Sequence, residues 1–249
     1  MTDDPQTRSP TRPEILPLGP DGVVLRVALR ASDAASARVQ ALAAALRAAP
    51  PQGMAEMATA LASVWLRFDP ALVSRAEFLA RLSPFLDMPA DPPPAPVLRR
   101  WTVPAAFGGQ AGPQLAELAA LTGQTEAAAV AGLCAADLRV LAIGFAPGQP
   151  YLGLLPPDWD IPRQTALTPQ VPAGALVVAV RQVVLFANAS ATGWRQAGRC
   201  AFRPFLPDRA QPFALRAGDA IRFAPVAEAE LAALEGGDGL GGARLESLA

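Results

Sequence analysis

A proline-rich segment divides this chain and limits what can form on either side of it. Five of the ten residues in 88–97, MPADPPPAPV, are proline. Proline lacks a backbone amide proton and fixes φ, so this run can continue neither a helix nor an inner strand of a sheet. We therefore expect two separately folded parts joined by an extended linker at 89–97.

The part before the linker, residues 14–88, has the pattern of a two-layer α+β domain. Apolar runs predict a strand at 22–29 and two more within 54–69. Helical periodicity predicts one helix over 32–49 and a second over 74–82. Strands and helices of this kind bury their apolar faces against each other in two layers.

Serine residues mark where both predicted helices begin. Ser32 stands directly before the first periodic residues, which is a preferred N-cap position. Ser74 and Glu77 have the spacing of a capping box, in which each side chain accepts a hydrogen bond from the backbone amide of the other residue. The polar, proline-rich residues 1–13 carry no such signals, so we expect them to form a disordered leader.

The part after the linker, residues 98–228, changes to short β runs separated by glycine and proline. Regular short runs of this kind are typical of a barrel or a sandwich. Two short helices are predicted around Gly123, and the glycine-rich residues 229–249 are expected to form a mobile tail after a short helical start. The β runs fall at 138–144, 171–180, 182–187, 194–199, 213–215 and 220–226.

The basic residues exclude several kinds of catalytic site. All 21 are arginine, since the chain contains no lysine and no histidine. It therefore lacks the lysine of a Walker phosphate loop, the imidazole of a Ser-His-Asp triad and the histidine ligands of a typical zinc site. Cys134 and Cys200 lie 66 residues apart, which matches no metal or redox motif. We expect both cysteines to be buried apolar side chains and no metal site in this chain.

The helix pair around Gly123 has the spacing of a DNA-binding helix-turn-helix. Such an element needs arginine or lysine against phosphate, yet residues 102–138 contain no basic side chain. A packed helical hairpin is the better interpretation. The net charge of −1 and the lack of an apolar stretch of about 20 residues favour neither nucleic acid nor a membrane as partner, and we expect a cytoplasmic protein.

The densest group of backbone-restricting residues is GFAPGQPYLG at 144–153. Gly144 and Gly148 allow backbone conformations closed to other residues, while Pro147 and Pro150 fix φ. The pattern predicts a rigid, sharply turned loop rather than the interior of a strand. We expect it to hold the backbone amides near Gly148, or an aromatic rim, around a ligand. An ordinary tight turn between strands is the alternative.

Two further loops carry arginine and tryptophan. Arg163 lies in DIPRQTALTPQVPAG, and Trp194 and Arg199 lie in NASATGWRQAGR. If the loops converge on one cleft, the two guanidinium groups could bind a carboxylate or a phosphate beside a flat indole wall. The alternative is that each arginine is a solvated surface charge. The nearby carboxylates considered as bases are Asp158, Asp160 and Asp219.

The order of these motifs resembles one known family, that of the 5-oxoprolinase B subunit. This family is also called allophanate hydrolase subunit 1 and includes sporulation-kinase inhibitors. The resemblance covers about residues 13–228, and its most specific part is GFAPG-x-PYLG followed by VPAG. It implies an N-terminal α+β domain followed by a cyclophilin-like β-barrel. It also implies ATP-dependent opening of 5-oxoproline by a complex with the 5-oxoprolinase C subunit, a carboxyltransferase-type protein, and with a third component, the A subunit.

The loop patterns and the resemblance together give a predicted substrate-binding set, with no catalytic residue identified. Its members are Phe145, Pro147, Gly148, Gln149, Tyr151, Arg163, Gln182, Trp194 and Arg199. On this interpretation the chain is a non-autonomous subunit of an ATP-dependent 5-oxoprolinase or allophanate-hydrolase-like amidohydrolase, which contributes a cleft for a small carboxylate. ATP would be used at the level of the complex.

Several polar positions of the family pattern are apolar in this chain. Phe107 and Leu138 stand where the pattern has tyrosine, and Leu133 stands where it has histidine. These differences keep a second interpretation open. The chain could be a catalytically degenerate paralogue that caps a partner subunit or inhibits a kinase.

Overall fold

A computed structural model describes residues 12–89 and 92–248 of the 249-residue chain. The chain divides after Pro96, within the proline-rich segment, into two compact units. The leader expected at residues 1–13 lies almost entirely outside the described residues. The predicted fold class is confirmed, because a small antiparallel sheet with two helices is followed by a closed β-barrel.

The first unit is a four-stranded antiparallel sheet packed against two helices. Its strand order is β1-β2-β4-β3. Along the chain its elements are β1 (Glu14–Leu18), β2 (Gly22–Arg26), α1 (Asp33–Ala48), β3 (Met54–Thr59), β4 (Ser63–Phe68) and α2 (Arg75–Leu86). The strand β1 is the one element of this unit that the apolar runs did not predict.

Alternation along β4 explains where the core of this unit lies. Val64, Leu66 and Phe68 are buried, whereas the residues between them are half-buried. The buried face meets α1 and α2, and the Phe68 ring stacks on the Phe78 ring at a centroid distance of 5.1 Å. Each such side chain contributes about 1.5–3 kcal/mol when it is fully buried.

The predicted helix starts are confirmed in the first unit. Ser32 is the N-cap of α1 and accepts a hydrogen bond from the Ala35 amide at 3.0 Å. Ser74 caps α2, and the capping box is complete because the Glu77 carboxylate accepts from the Ser74 amide at 2.9 Å. Local sequence therefore sets both helix starts before any distant contact forms.

The second unit begins with a long strand and a helical hairpin. Thereafter short strands alternate with loops until a last helix and strand. Its elements are β5 (Arg99–Phe107), α3 (Leu115–Leu121), α4 (Glu126–Ala135), β6 (Leu138–Ile143), β7 (Pro150–Gly153), β8 (Thr168–Val171), β9 (Ala175–Ala179), β10 (Gln182–Leu185), β11 (Ser190–Thr192), β12 (Arg195–Cys200), β13 (Ala220–Pro225), α5 (Glu228–Ala233) and β14 (Arg244–Ser247).

Seven strands close into a barrel in the order β12-β9-β10-β7-β6-β13-β5, and β5 pairs back to β12. The β13–β5 pair is parallel, and the other neighbours in the barrel are antiparallel. Large apolar side chains such as Val178, Val183 and Phe223 fill the interior. The α3–α4 pair buries Leu118 and Leu133 in the same cluster, so the prediction of a packed helical hairpin is confirmed.

A second apolar layer lies on the opposite face of β9 and β10. Alternation turns Val177 and Val184 away from the barrel interior, where they pack with Phe186 and Trp194. The two-stranded pair β8–β11 lies next to this layer, since Val171 belongs to the same cluster. This outer layer forms the floor of the candidate site.

The structure differs from the sequence-based expectation in three places. The nine-residue strand β5, which contains Pro104, was not predicted, and 213–215 forms only the isolated bridge between Phe205 and Phe213. The segment 144–153 is a loop only as far as Gln149, because β7 begins at Pro150. Proline is tolerated as the first residue of a strand, where its missing amide proton costs no ladder bond.

The chain after Ala227 has defined structure where a mobile tail at 229–249 was expected. Helix α5 buries Leu231, and β14 pairs with β5 from Arg244↔Thr102 to Ser247↔Arg99. The low-complexity composition of this segment conceals the strand, because β14 gains its order from pairing with β5 rather than from its own pattern.

Candidate functional site

Five of the nine predicted binding residues line one cavity on the outer layer of the barrel. We call it the aromatic pocket, and its volume is about 310 Å³. The predicted residues found there are Phe145, Gln149, Tyr151, Arg163 and Trp194. The remaining lining residues are Gln164, Leu167, Val184, Phe186, Ala191, Thr192 and Gly193.

Neighbouring strands position the aromatic walls of the pocket. Tyr151 on β7 pairs with Val184 on β10, so both side chains share the outer face. Trp194 lies just before β12, is 7% exposed, and meets the Tyr151 ring edge-to-face at a centroid distance of 6.4 Å. Two rigid aromatic surfaces therefore meet almost at a right angle, at 75°.

Arg163 supplies the positive charge of the pocket. Its guanidinium carbon lies 5.4 Å from the centroid of the Trp194 ring, which is cation–π geometry. In the described part of the chain no carboxylate pairs with Arg163, and the side chain is exposed. An uncompensated guanidinium above an indole is suited to bind an anion that carries a flat or apolar group.

A strained turn holds the segment that leads to Arg163. Val180 and Arg181 join β9 to β10 with φ of 45° and 62°. The Val180 amide donates to the Ile161 carbonyl at 2.8 Å, and the Arg181 guanidinium donates to the Leu155 carbonyl at 2.7 Å. A two-residue hairpin with both φ values positive normally contains Asn and Gly, so tertiary contacts fix the conformation that Val-Arg disfavours.

A network of side-chain amides fixes the same segment to β12. Gln164 donates to the Trp194 carbonyl at 2.9 Å and accepts from the Gln114 amide group at 2.8 Å. Gln114 in turn accepts from the Gln196 backbone amide at 2.9 Å. The sequence analysis missed Gln164 and Gln114, and their only signal was the position of Gln164 directly after Arg163.

The loop 144–149 forms one rim of the pocket. Phe145 is 77% exposed and has φ of 69°, a conformation that costs about 1–2 kcal/mol for a residue with a Cβ. The Gly144 amide donates to the Gln149 carbonyl at 3.0 Å, which closes the loop. The buried Gln149 side chain accepts from the Ala187 amide at 3.4 Å and so joins the loop to the outer layer.

Four predicted binding residues lie elsewhere. Gly148 packs against Phe205, and neither Gly148 nor Pro147 lines the aromatic pocket, so the expected anion-binding amides near Gly148 are not part of it. Gln182 is 2% exposed and pairs with Gly153 across β7 and β10, which places it under the sheet rather than in the cavity. The expectation that Arg199 joins Arg163 and Trp194 in one cleft is wrong.

Arg199 lines a second cavity, of about 380 Å³, which we call the arginine cavity. Its side chain forms an ion pair with Glu235, just beyond α5. Closure of the barrel separates the two arginines, because Arg199 pairs with Ala106 of β5 whereas Trp194 packs on the outer layer. The lining of the arginine cavity is Pro172, Ala173, Arg199, Cys200, Ala201, Arg203, Leu206, Glu235, Gly236, Gly237 and Gly239.

None of the candidate bases lies in the aromatic pocket. Asp219 accepts a hydrogen bond from the Arg216 amide at 2.9 Å and pairs with Arg99 at 3.3 Å, and burial raises the pKa of its carboxyl. Asp158 and Asp160 belong to a short 3₁₀ turn and its end, also outside the pocket lining. The described pocket therefore has one guanidinium, one phenol and two carboxamides, but no carboxylate.

The two cysteines are not available as nucleophiles near neutral pH. Burial raises the pKa of the Cys134 thiol to about 11 and that of the Cys200 thiol to about 12. Cys200 is buried and Cys134 half-buried, so the prediction for them is confirmed in kind. Within residues 12–89 and 92–248, no group of three or more Cys, Asp or Glu side chains could hold a metal ion. No helix in the same ranges is long and apolar enough to span a membrane.

Comparison with known proteins identifies relatives of the whole arrangement. Residues 13–215 match the family model described as carboxyltransferase domain, subdomain C and D. The chain is 36% identical over 126 residues to the 5-oxoprolinase B subunit of Escherichia coli O157:H7, which covers 51% of this chain and 58% of that protein. It is 30% identical over 126 residues to the 5-oxoprolinase B subunit of Bacillus subtilis, covering 51% and 52%. The match thus spans little more than half the length of these relatives.

Solved structures agree with the fold. The protein TTHA0988 superposes with a TM-score of 0.68 at 32% identity, over 83% of this chain and 40% of that one. Urea amidolyase of Kluyveromyces lactis superposes with a TM-score of 0.72 over 96% of this chain and 16% of that one, but at 17% identity. This second likeness concerns the fold alone.

Proposed function

The chain belongs to the carboxyltransferase-domain family of subdomains C and D, and on that premise we propose that it is a non-autonomous subunit of a 5-oxoprolinase-type amidohydrolase complex. Its part in the complex is to bind a small carboxylate in the aromatic pocket. The observation that carries this proposal is Arg163, a guanidinium without a carboxylate partner in the described chain, positioned 5.4 Å over the Trp194 ring.

The chemistry of the pocket fits a compact ring that bears a carboxylate. The Arg163 fork can donate two parallel hydrogen bonds to a carboxylate, while Tyr151 and Trp194 contact the faces and edges of the ring. Gln149 and Gln164 can orient an amide group, because a carboxamide both donates and accepts hydrogen bonds. 5-Oxoproline has these three features, a small ring, an amide and a carboxylate.

The chemical step requires groups that the pocket does not contain. Opening an amide needs an activated nucleophile and a proton donor, whereas the described lining has no carboxylate, thiol or imidazole. We therefore assign the ATP-dependent step to the complex, with the A and C subunits of 5-oxoprolinase as the partners that the names of the relatives suggest.

The same absence supports a second candidate function. A catalytically degenerate paralogue would keep the shaped pocket and its arginine but have no need for a base. In that case the pocket would bind a carboxylate-bearing ligand as a regulatory signal or take up an acidic side chain of a partner.

One reconstitution separates the two candidates. The purified chain is mixed with the A and C subunits of 5-oxoprolinase, and 5-oxoproline-dependent ATP hydrolysis is measured beside complex formation. For the enzyme component we expect hydrolysis that Arg163→Gln reduces by about tenfold or more while the complex still forms. A stable complex without 5-oxoproline-dependent hydrolysis supports the regulatory paralogue, and failure to form any complex would contradict both.

A further inference from the structure

The arginine cavity has the makings of a second anion site, separate from the aromatic pocket. Arg199 and Arg203 both line it, together with the glycine-rich turn that follows α5. The two cavities share no lining residue. We propose that the arginine cavity binds a phosphate group, either as free phosphate or as the phosphate of a small phosphorylated molecule.

Charge in the cavity favours an added anion. Two guanidinium groups face one carboxylate, that of Glu235, which pairs with Arg199. In the described chain Arg203 forms no ion pair, and the buried Nε of Arg199 donates to no protein group. One carboxylate therefore uses only part of the hydrogen-bonding capacity of the two arginines.

The glycine-rich turn adds backbone donors. Gly236 and Gly237 have φ of 104° and 63°, and an added Cβ at either position would meet only open space. Neither amide donates a hydrogen bond to another described residue. Successive free amides in a tight turn are a common way to bind an oxyanion.

The number of donors selects phosphate over carboxylate. A carboxylate offers two oxygens and is satisfied by one guanidinium fork, as Glu235 is by Arg199. A phosphate offers three or four oxygens and carries about −1.5 to −2 charges at neutral pH, so it can engage both forks and the turn amides together. We expect it to displace the Glu235 carboxylate from Arg199.

The binding test uses the full chain and inorganic phosphate in isothermal titration. We expect saturable binding that Arg203→Gln weakens by about tenfold, because it removes charge-assisted hydrogen bonds from an exposed side chain. Arg244→Gln removes the same charge from β14, outside the cavity, and should leave the affinity unchanged. Absence of saturable binding, or equal weakening by both variants, would overturn the proposal.

Glu235→Gln gives the sharper test, since the proposal predicts a gain. Without the competing carboxylate, phosphate affinity should rise severalfold. Glu230→Gln makes the same charge change on an exposed position of α5 and should have no such effect. If Glu235→Gln leaves the affinity unchanged or lowers it, the exchange of Glu235 for phosphate is wrong.

A second titration, with ATP in place of phosphate, distinguishes the sources of the phosphate group. Tighter binding of ATP that Arg203→Gln still weakens identifies a nucleoside phosphate as the ligand, and equal or weaker binding identifies free phosphate. Arg163→Gln should leave both titrations unchanged. If phosphate binding depends on Arg163 instead, the arginine cavity is not the site, whereas the proposed carboxylate pocket is unaffected by failure of this experiment.

Discussion

Arg163 and Arg199 are the same kind of side chain in opposite electrostatic surroundings. Arg163 stacks over an indole and has no carboxylate beside it in the described chain, whereas Arg199 forms an ion pair with Glu235. Both follow a glycine- or proline-rich stretch of sequence, and nothing local distinguishes them. The difference teaches that the role of a guanidinium is decided by which partner the fold brings to it.

The largest expected effect comes from removing the surface under Arg163. Trp194→Ala deletes a side chain that is 7% exposed in the outer layer, so it should lower the free energy of unfolding by about 3–5 kcal/mol. Leu206→Ala trims the wall of the arginine cavity at a half-buried position and should cost less. Urea denaturation measures both, and equal losses would mean that the outer layer is not a packed support for the pocket.

Carboxylate binding should depend on one arginine and not on the other. Arg163→Gln should weaken binding of 5-oxoproline to the isolated chain by about 1.5–3 kcal/mol, which is a charge-assisted hydrogen-bond pair. Arg199→Gln is the matched control and should leave this affinity within about 0.5 kcal/mol. Calorimetric titration checks both variants, and a loss on Arg199→Gln would place the two arginines in one functional site after all.

The segment before Arg163 rests on a disfavoured turn, whereas Arg199 lies in the regular strand β12. Val180→Asn introduces a residue that tolerates φ of 45°, and it should raise the free energy of unfolding by about 1 kcal/mol. Val180→Ala keeps a Cβ and should gain less. Thermal melting compares the two, and a destabilised Val180→Asn would show that the Val180 side chain has a packing role that outweighs its backbone strain.

The smallest expected effect concerns the ion pair of Arg199. The side chains of Arg199 and Glu235 are 33% and 47% exposed, so Glu235→Gln should lower the free energy of unfolding by less than about 1 kcal/mol. The effect should shrink further in high salt, since exposed pairs are screened. A loss of several kcal/mol would indicate that the pair is structural, and the contrast with Arg163 would then be one of stability rather than of binding.

Local pattern predicted the first unit well because its signals are short in range. The Ser32 cap, the Ser74–Glu77 capping box and the alternation of β4 each depend on residues a few positions apart. The barrel was predicted in class but not in detail. Its strand β5 contains Pro104 and pairs with β13 more than a hundred residues later, so no local pattern distinguishes it from a loop.

The candidate site divides in the same way. The sequence placed Tyr151, Arg163 and Trp194 together because each stands next to glycine or proline that constrains its loop, and the cavity contains all three. It could not show that the Gln164 amide network holds these loops together. Gln114, Gln164 and Gln196 come from three distant segments, and a glutamine has no local signature when its partners are remote.

The sequence by itself determined the punctuation of this protein: where helices begin, where the chain divides, and which stretches must turn. These features follow from φ restrictions and capping, which act within a few residues. Only the tertiary structure decided which arginine meets Glu235 and which lies over Trp194. Closing the barrel through the β5–β12 pair sets those distances, and the energy of a charged group depends on neighbours that the chain brings from afar.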